Sequence, residues 1–146
     1  MRTRIIGCGT EDRGDDAAGL RVAQRLRALG IDALDHPGDG LSLMETWQGA
    51  DDVILIDAVI TGGPPGEINS WNGHHADVVA DQHRASSHAF GVAEAIKLAR
   101  ILHRLPPRLT LYGIEAAHFA LGSAPSPEVD AAAERLARQL AAAEGA

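Results

Sequence analysis

Cysteine, aromatic residues and clusters of basic residues are all scarce in this chain of 146 residues. Cys8 is the single cysteine, so an internal disulfide and a cluster of thiolate metal ligands are both excluded. The formal net charge is −7 and no basic patch is present, which argues against a nucleic-acid surface. No apolar run approaches the roughly 18 residues of a membrane span, so we expect no insertion into a membrane.

The scarcity of aromatic residues, 3% of the chain, leaves Ala, Leu, Val and Ile to supply most of the apolar content. Such a composition suits helices packed on a sheet of aliphatic strands. The length predicts one domain over residues 1–146, with a core that needs no disulfides. The first residues lack the apolar segment of a signal peptide, so we expect a cytoplasmic protein.

The segment from Arg4 to Leu20 is where we expect the chemistry. Ile5 and Ile6 predict a buried strand, and glycines after it allow a sharp turn. Apolar residues then recur at helical spacing, which predicts a helix from about Asp15 to Leu29. We interpret Asp15 as complementing the unpaired N–H groups and the dipole of this first turn, and the same structural explanation is available for Asp16.

Strand and helix patterns alternate along the rest of the chain. The predicted elements are a strand at 31–34, a helix at 41–47, a core strand at 53–56, an edge strand at 67–71, a helix through 92–102 that ends at Pro106-Pro107, a strand at 108–114, and a last helix with Ser126 as its cap. This order predicts an α/β fold, a three-layer sandwich around a mostly parallel, roughly five-stranded sheet. Such sheets bind ligands outside the carboxyl ends of their strands.

Three polar side chains are predicted to meet at that edge. Asp57 ends the core strand, where it either caps the next loop or belongs to a site. Ser86 and Ser87 offer an N-cap that would place His88 in a first helical turn. Asp16, Asp57 and His88 would form an oxygen and nitrogen ligand set suited to a divalent metal such as nickel or zinc. Such a set leaves positions on the metal open for substrate or water.

The same segments resemble the hydrogenase maturation endopeptidases. The motifs that carry the resemblance are Gly7–Thr10, Gly14–Leu20, Gly38–Leu41, Val53–Val59, Pro65-Gly66, Ser87-His88, Leu111–Glu115 and Ser126–Val129, so it covers nearly the whole chain. The resemblance implies a protease that removes a C-terminal extension from the large-subunit precursor of a nickel–iron hydrogenase after nickel insertion. It also implies that Asp16, Asp57 and His88 contact a nickel ion supplied by the substrate. We expect a monomer.

The chain departs from the family pattern in its first loop. Thr10 stands where the family usually has asparagine, and Ala17 stands where glycine often follows the acidic pair. Glu11, Asp12 and Arg13 occupy positions that are commonly more apolar. These departures leave the three proposed ligands intact and bear on the identity of the substrate. A diverged homologue with a different partner is therefore an alternative.

Other functions are less consistent with the sequence. A dinucleotide site needs a third glycine where Asp12 stands, and the neighbouring acids would repel a pyrophosphate. A non-enzymatic nickel chaperone would use the histidines of a polar loop, and it would not need Asp57; these histidines are His74, His75, His83 and His88. Cys8 lies between two glycines after a strand, where an inert packing role is expected. Glu115 and His118 either line the same edge or are solvated.

Overall fold

In the part of the chain that the structure describes, alternating aliphatic strands and amphipathic helices build a five-stranded sheet. The computed structural model describes residues 1–75 and 91–144. The strands are β1 (Thr3–Cys8), β2 (Leu34–His36), β3 (Asp52–Val59), β4 (Ile68–Asn72) and β5 (Arg108–Glu115). The helices are α1 (Ala18–Ala28), α2 (Gly40–Trp47), α3 (Val92–Ile101) and α4 (Pro127–Glu144), and a 3-10 turn (Gly14–Ala17) precedes α1.

The sheet has the strand order β2-β1-β3-β5-β4, and every pairing is parallel except that of β4 with β5. In β3, the residues from Val53 to Ile56 are aliphatic because both faces of a central parallel strand are covered. Helices α1 and α4 cover one face, and α2 and α3 cover the other. The predicted three-layer α/β fold is thus confirmed, and so is the predicted edge strand, which is β4 and runs antiparallel to β5.

Helix α1 approaches the sheet so closely that only glycine fits at the crossing. A Cβ atom added to Gly19 would meet the backbone of Cys8 and of Ile56, and one added to Gly7 would meet the carbonyl of Gly19. Gly7 is in β1 and Gly19 in the first turn of α1, so the two glycines bring strand and helix into direct backbone contact. The 3-10 turn ahead of α1 is thereby held against the carboxyl end of the sheet.

Several predicted boundaries are wrong. The helix expected from Asp15 begins as the 3-10 turn and becomes α-helical at Ala18. The strand expected at 31–34 is β2, at Leu34–His36, because Ile31 and Ala33 pack onto the α1/α4 side of the core instead of pairing with β1.

Helix α3 begins at Val92, after Gly91, which is its N-cap and has an extended backbone. The predicted start near Ser86 and Ser87 is therefore wrong for this helix, and those two residues and His88 lie outside the described residues. The helix ends before Pro106-Pro107, because His103 takes a positive φ of 56° and turns the chain. Among residues 1–75 and 91–144, no helix has the length and apolarity that crossing a membrane requires.

Candidate active site

The carboxyl ends of β1 and β3 and the 3-10 turn form one edge of the sheet. The turn that carries Asp16 follows the loop after β1 and lies against β3, the strand that carries Asp57. Parallel pairing places the ends of these strands side by side. The structure therefore brings Asp16 and Asp57 to the same edge, where open α/β sheets bind ligands.

Asp16 is held by its backbone, while one oxygen of its carboxylate accepts no hydrogen bond from residues 1–75 and 91–144. Its N–H donates to Arg13 O at 3.1 Å, and its carbonyl accepts from Thr10 N–H at 3.2 Å. The side chain is buried, and within the described part of the chain its Oδ2 atom accepts no hydrogen bond. A buried carboxylate oxygen without a partner is costly in a folded protein, which makes this atom a candidate to contact a cation.

Asp57 lies near the end of β3, buried, with its Oδ1 accepting the N–H of Ala58 at 2.9 Å. Cys8 is fully buried in the neighbouring strand. Burial first, and the negative charge of Asp57 second, raise the pKa of the Cys8 thiol well above its ordinary value. A thiol that stays protonated is a poor nucleophile, so the structure supports the packing role that the sequence indicates for Cys8.

Asp15 lies in the first turn as predicted, but its side chain accepts no hydrogen bond from the N–H groups of that turn. Its side chain is fully buried and reaches across to the segment between β5 and α4. Oδ2 accepts from the N–H of Ala117 at 2.7 Å, the N–H of His118 at 3.2 Å and the hydroxyl of Ser126 at 2.8 Å, while Oδ1 accepts from the N–H of Ser126 at 2.5 Å.

These hydrogen bonds determine the charge state of Asp15. Burial by itself would raise the pKa of its carboxyl group, but the donors from Ser126, Ala117 and His118 favour the carboxylate and lower the pKa below its ordinary value. Sequence reasoning missed this role because Ser126, directly before Pro127, also matches the pattern of a helix cap.

Glu115 ends β5, one residue beyond the predicted strand at 108–114, and is buried. Its two carboxylate oxygens accept from the backbone N–H of Thr61 at 2.9 Å and from the Thr61 hydroxyl at 2.5 Å. These bonds tie the end of β5 to the loop that follows β3. Glu115 therefore shapes the edge beside Asp57 and is not a solvated acid, whereas His118 is exposed.

The histidines near the sheet edge and in the polar loop differ in their surroundings. His36 is buried at the end of β2, where its Nδ1 accepts from the N–H of Gly38 at 2.9 Å and its Nε2 lies 3.1 Å from the Ser42 hydroxyl. His74 Nε2 lies 2.9 Å from the carbonyl of Pro106, and His75 is exposed. His83 and His88 lie outside the described residues, so the third predicted ligand stays a prediction.

Residues 1–75 and 91–144 contain no group of three or more histidine, cysteine, aspartate or glutamate side chains that could hold a metal ion. The described residues thus supply two carboxylates at one edge, one of them with a free oxygen, and no complete metal cage. Carboxylate oxygens of this kind are suitable ligands for a divalent cation.

A family model described as hydrogenase maturation protease (HycI) matches residues 21–143. The matched range includes Asp57 and the position of His88, and it begins after Asp16. Among curated relatives, the chain is 31% identical over 85 residues to protein FrxA of Pyrococcus furiosus, a match that covers 58% of this chain and 61% of that protein. It is 26% identical over 151 residues to the hydrogenase expression/formation protein HupD of Rhodobacter capsulatus, covering 97% of this chain and 72% of that one.

The fold is also similar to a solved structure, that of the [NiFe] hydrogenase maturation protease HybD from Thermococcus kodakarensis. The two structures superpose with a TM-score of 0.77 over 97% of this chain and 99% of the other, at 29% sequence identity. Fold and sequence therefore indicate the same relationship over almost the full length described.

Proposed function

The chain belongs to the hydrogenase maturation protease family, and on that premise we propose that it is an endopeptidase that removes the C-terminal extension of a nickel–iron hydrogenase large-subunit precursor after nickel insertion. In this proposal the nickel is cargo of the substrate, and Asp16, Asp57 and His88 contact it. The cytoplasm is the proposed compartment. The HybD relative is named as a [NiFe] hydrogenase maturation protease, which supports the substrate class.

The observation that carries the proposal is the unpartnered oxygen of Asp16. Oδ2 is buried at the carboxyl edge, beside the strand that carries Asp57, and accepts no hydrogen bond from the described residues. A divalent cation brought to this edge would find two carboxylates there already.

The chemistry follows from the charge of such an ion. A divalent ion held between substrate and enzyme supplies Lewis acidity that either polarises the scissile carbonyl or activates a water molecule. Asp16 and Asp57 orient the loaded substrate by contacting its metal. A precursor that lacks the metal would bring no cation to Oδ2 of Asp16, so the same contacts discriminate against it.

The test is to incubate the purified protein with a nickel-loaded large-subunit precursor and to measure the intact mass of the precursor. We expect a single cleavage that releases one C-terminal peptide. A nickel chaperone without protease activity would leave the mass unchanged and would take up or deliver nickel. That result, or cleavage at many sites, would contradict the proposal.

A further inference from the structure

The loop that carries Asp16 and the loop that precedes α4 are joined into one unit. Backbone hydrogen bonds connect Gly122 N–H to Asp12 O at 2.6 Å, Gly14 N–H to Ser123 O at 2.9 Å and Asp15 N–H to His118 O at 3.0 Å. The carboxylate of Asp15 lies inside this unit and accepts four further hydrogen bonds. Neither loop therefore moves without breaking bonds to the other.

Asp15 and Asp16 are consecutive residues of the 3-10 turn with opposite surroundings. The first carboxylate is fully satisfied by Ala117, His118 and Ser126, whereas Oδ2 of the second has no partner within the described chain. An unpartnered buried oxygen would gain free energy by turning toward water, so the turn needs an opposing restraint to stay in place. The bonds to Asp15 supply that restraint one residue away.

We infer that Asp15 is a positioning residue that holds the turn so that the carboxylate of Asp16 stays directed at the metal of the substrate. The inference rests on the proposed endopeptidase function. It assigns Asp15 no contact with substrate, since its side chain is fully buried and directed into the loop before α4.

A carboxylate is specifically required at this position. All four groups around it are donors: three backbone N–H groups and the Ser126 hydroxyl. Asparagine has nearly the same shape, but its NH₂ group would face at least one of these donors. Asp15→Asn therefore disrupts the hydrogen bonds without opening a cavity, and this makes it a more specific test than truncation.

The kinetic test compares Asp15→Asn with Asp130→Asn on the nickel-loaded precursor. Asp130 accepts from Arg25 at 3.0 Å in a half-exposed ion pair that links α1 to α4, so its variant controls for the loss of a carboxylate contact between the N-terminal and C-terminal parts of the chain. We expect Asp15→Asn to lower kcat about 100-fold with KM within about twofold, because a small misplacement of a reacting group has an effect of that order. Asp130→Asn should keep the wild-type kcat.

A matched pair at Ser126 refines the test. Ser126→Ala removes one of the four donors, and Ser126→Thr keeps the hydroxyl. Positioning predicts a reduced kcat for the alanine variant and a kcat closer to wild type for the threonine variant. If Asp15→Asn keeps the kcat of Asp130→Asn, the positioning role is wrong while the endopeptidase function stands.

Amide hydrogen exchange tests the positioning role of Asp15 even if the wild-type protein cleaves no precursor. The amides to follow are those of Thr10 and Asp16, which bond to Asp16 O and Arg13 O respectively. Faster exchange at both in Asp15→Asn than in Asp130→Asn would support positioning of the turn even though the endopeptidase proposal had failed. Equal exchange rates in the two variants would overturn the positioning role of Asp15.

Discussion

Replacing Asp16 or Asp57 by asparagine is expected to lower the rate of precursor cleavage at least about 100-fold, because Lewis-acid catalysis of this kind is worth several kcal/mol and each 1.4 kcal/mol is about tenfold. Asparagine keeps an acceptor oxygen for the Ala58 N–H that Asp57 binds, so the fold should survive. His88→Ala should lose activity to a similar extent. The measurement is single-turnover cleavage of nickel-loaded precursor.

The stability of the Asp16 variant separates a functional carboxylate from a structural one. Oδ2 of Asp16 is buried and accepts no hydrogen bond from the part of the chain that the structure describes, so removal of the carboxylate charge should leave the melting temperature at or above that of the wild type. Loss of activity without loss of stability is the signature of a residue kept for function.

Cys8→Ala and His75→Ala are the controls for these variants. Cys8 is buried with a raised pKa, and His75 is exposed, so both variants should retain cleavage. Loss of activity in Cys8→Ala together with wild-type activity in His88→Ala would contradict the role of the metal.

Gly19→Ala is expected to destabilise the fold by at least about 3 kcal/mol, or about 10 °C in melting temperature for a domain of this size. The added Cβ would lie 2.7 Å from the N atom of Cys8 and closer still to the carbonyl oxygens of Cys8 and Ile56. These are backbone atoms of two central strands, which cannot move aside as a flexible side chain can. Thermal and urea unfolding measure the effect.

Gly30→Ala is the matched control for the glycine prediction. Gly30 has a φ of 84° and no atom within 4 Å of an added Cβ, so its substitution tests backbone strain without a collision. The expected cost is only about 1 kcal/mol. Equal destabilisation by the two substitutions would show that the close contact between α1 and the sheet adds nothing to the cost of a Cβ atom at Gly19.

The fold could be predicted because its strongest signals are local. The aliphatic run from Val53 to Ile56 indicates a buried parallel strand, and the spacing of apolar residues indicates the helices. The edge on which Asp16 and Asp57 meet follows from parallel topology, since both residues come after or near the end of a strand.

What the sequence did not reveal depends on contacts between distant segments. The bond from Ser126 to Asp15 joins positions 111 residues apart, and a Ser-Pro pair before a helix gives no sign of it. Glu115 pairs with Thr61 across 54 residues, so a carboxylate that resembled a loop residue is buried. The predicted ends of β2 are also wrong, because the apolar side chains of Ile31 and Ala33 pack in the core beside the helices and do not belong to a paired strand.

Dependence of cleavage on nickel carried by the substrate is tested most directly by comparing wild-type cleavage of the nickel-loaded precursor with that of the nickel-free precursor. We expect cleavage of the loaded precursor alone, and no cleavage of it by the His88→Ala variant. Equal cleavage of both precursors by the wild-type protein would contradict a role for the nickel, because the carboxylates of Asp16 and Asp57 would then act without the metal.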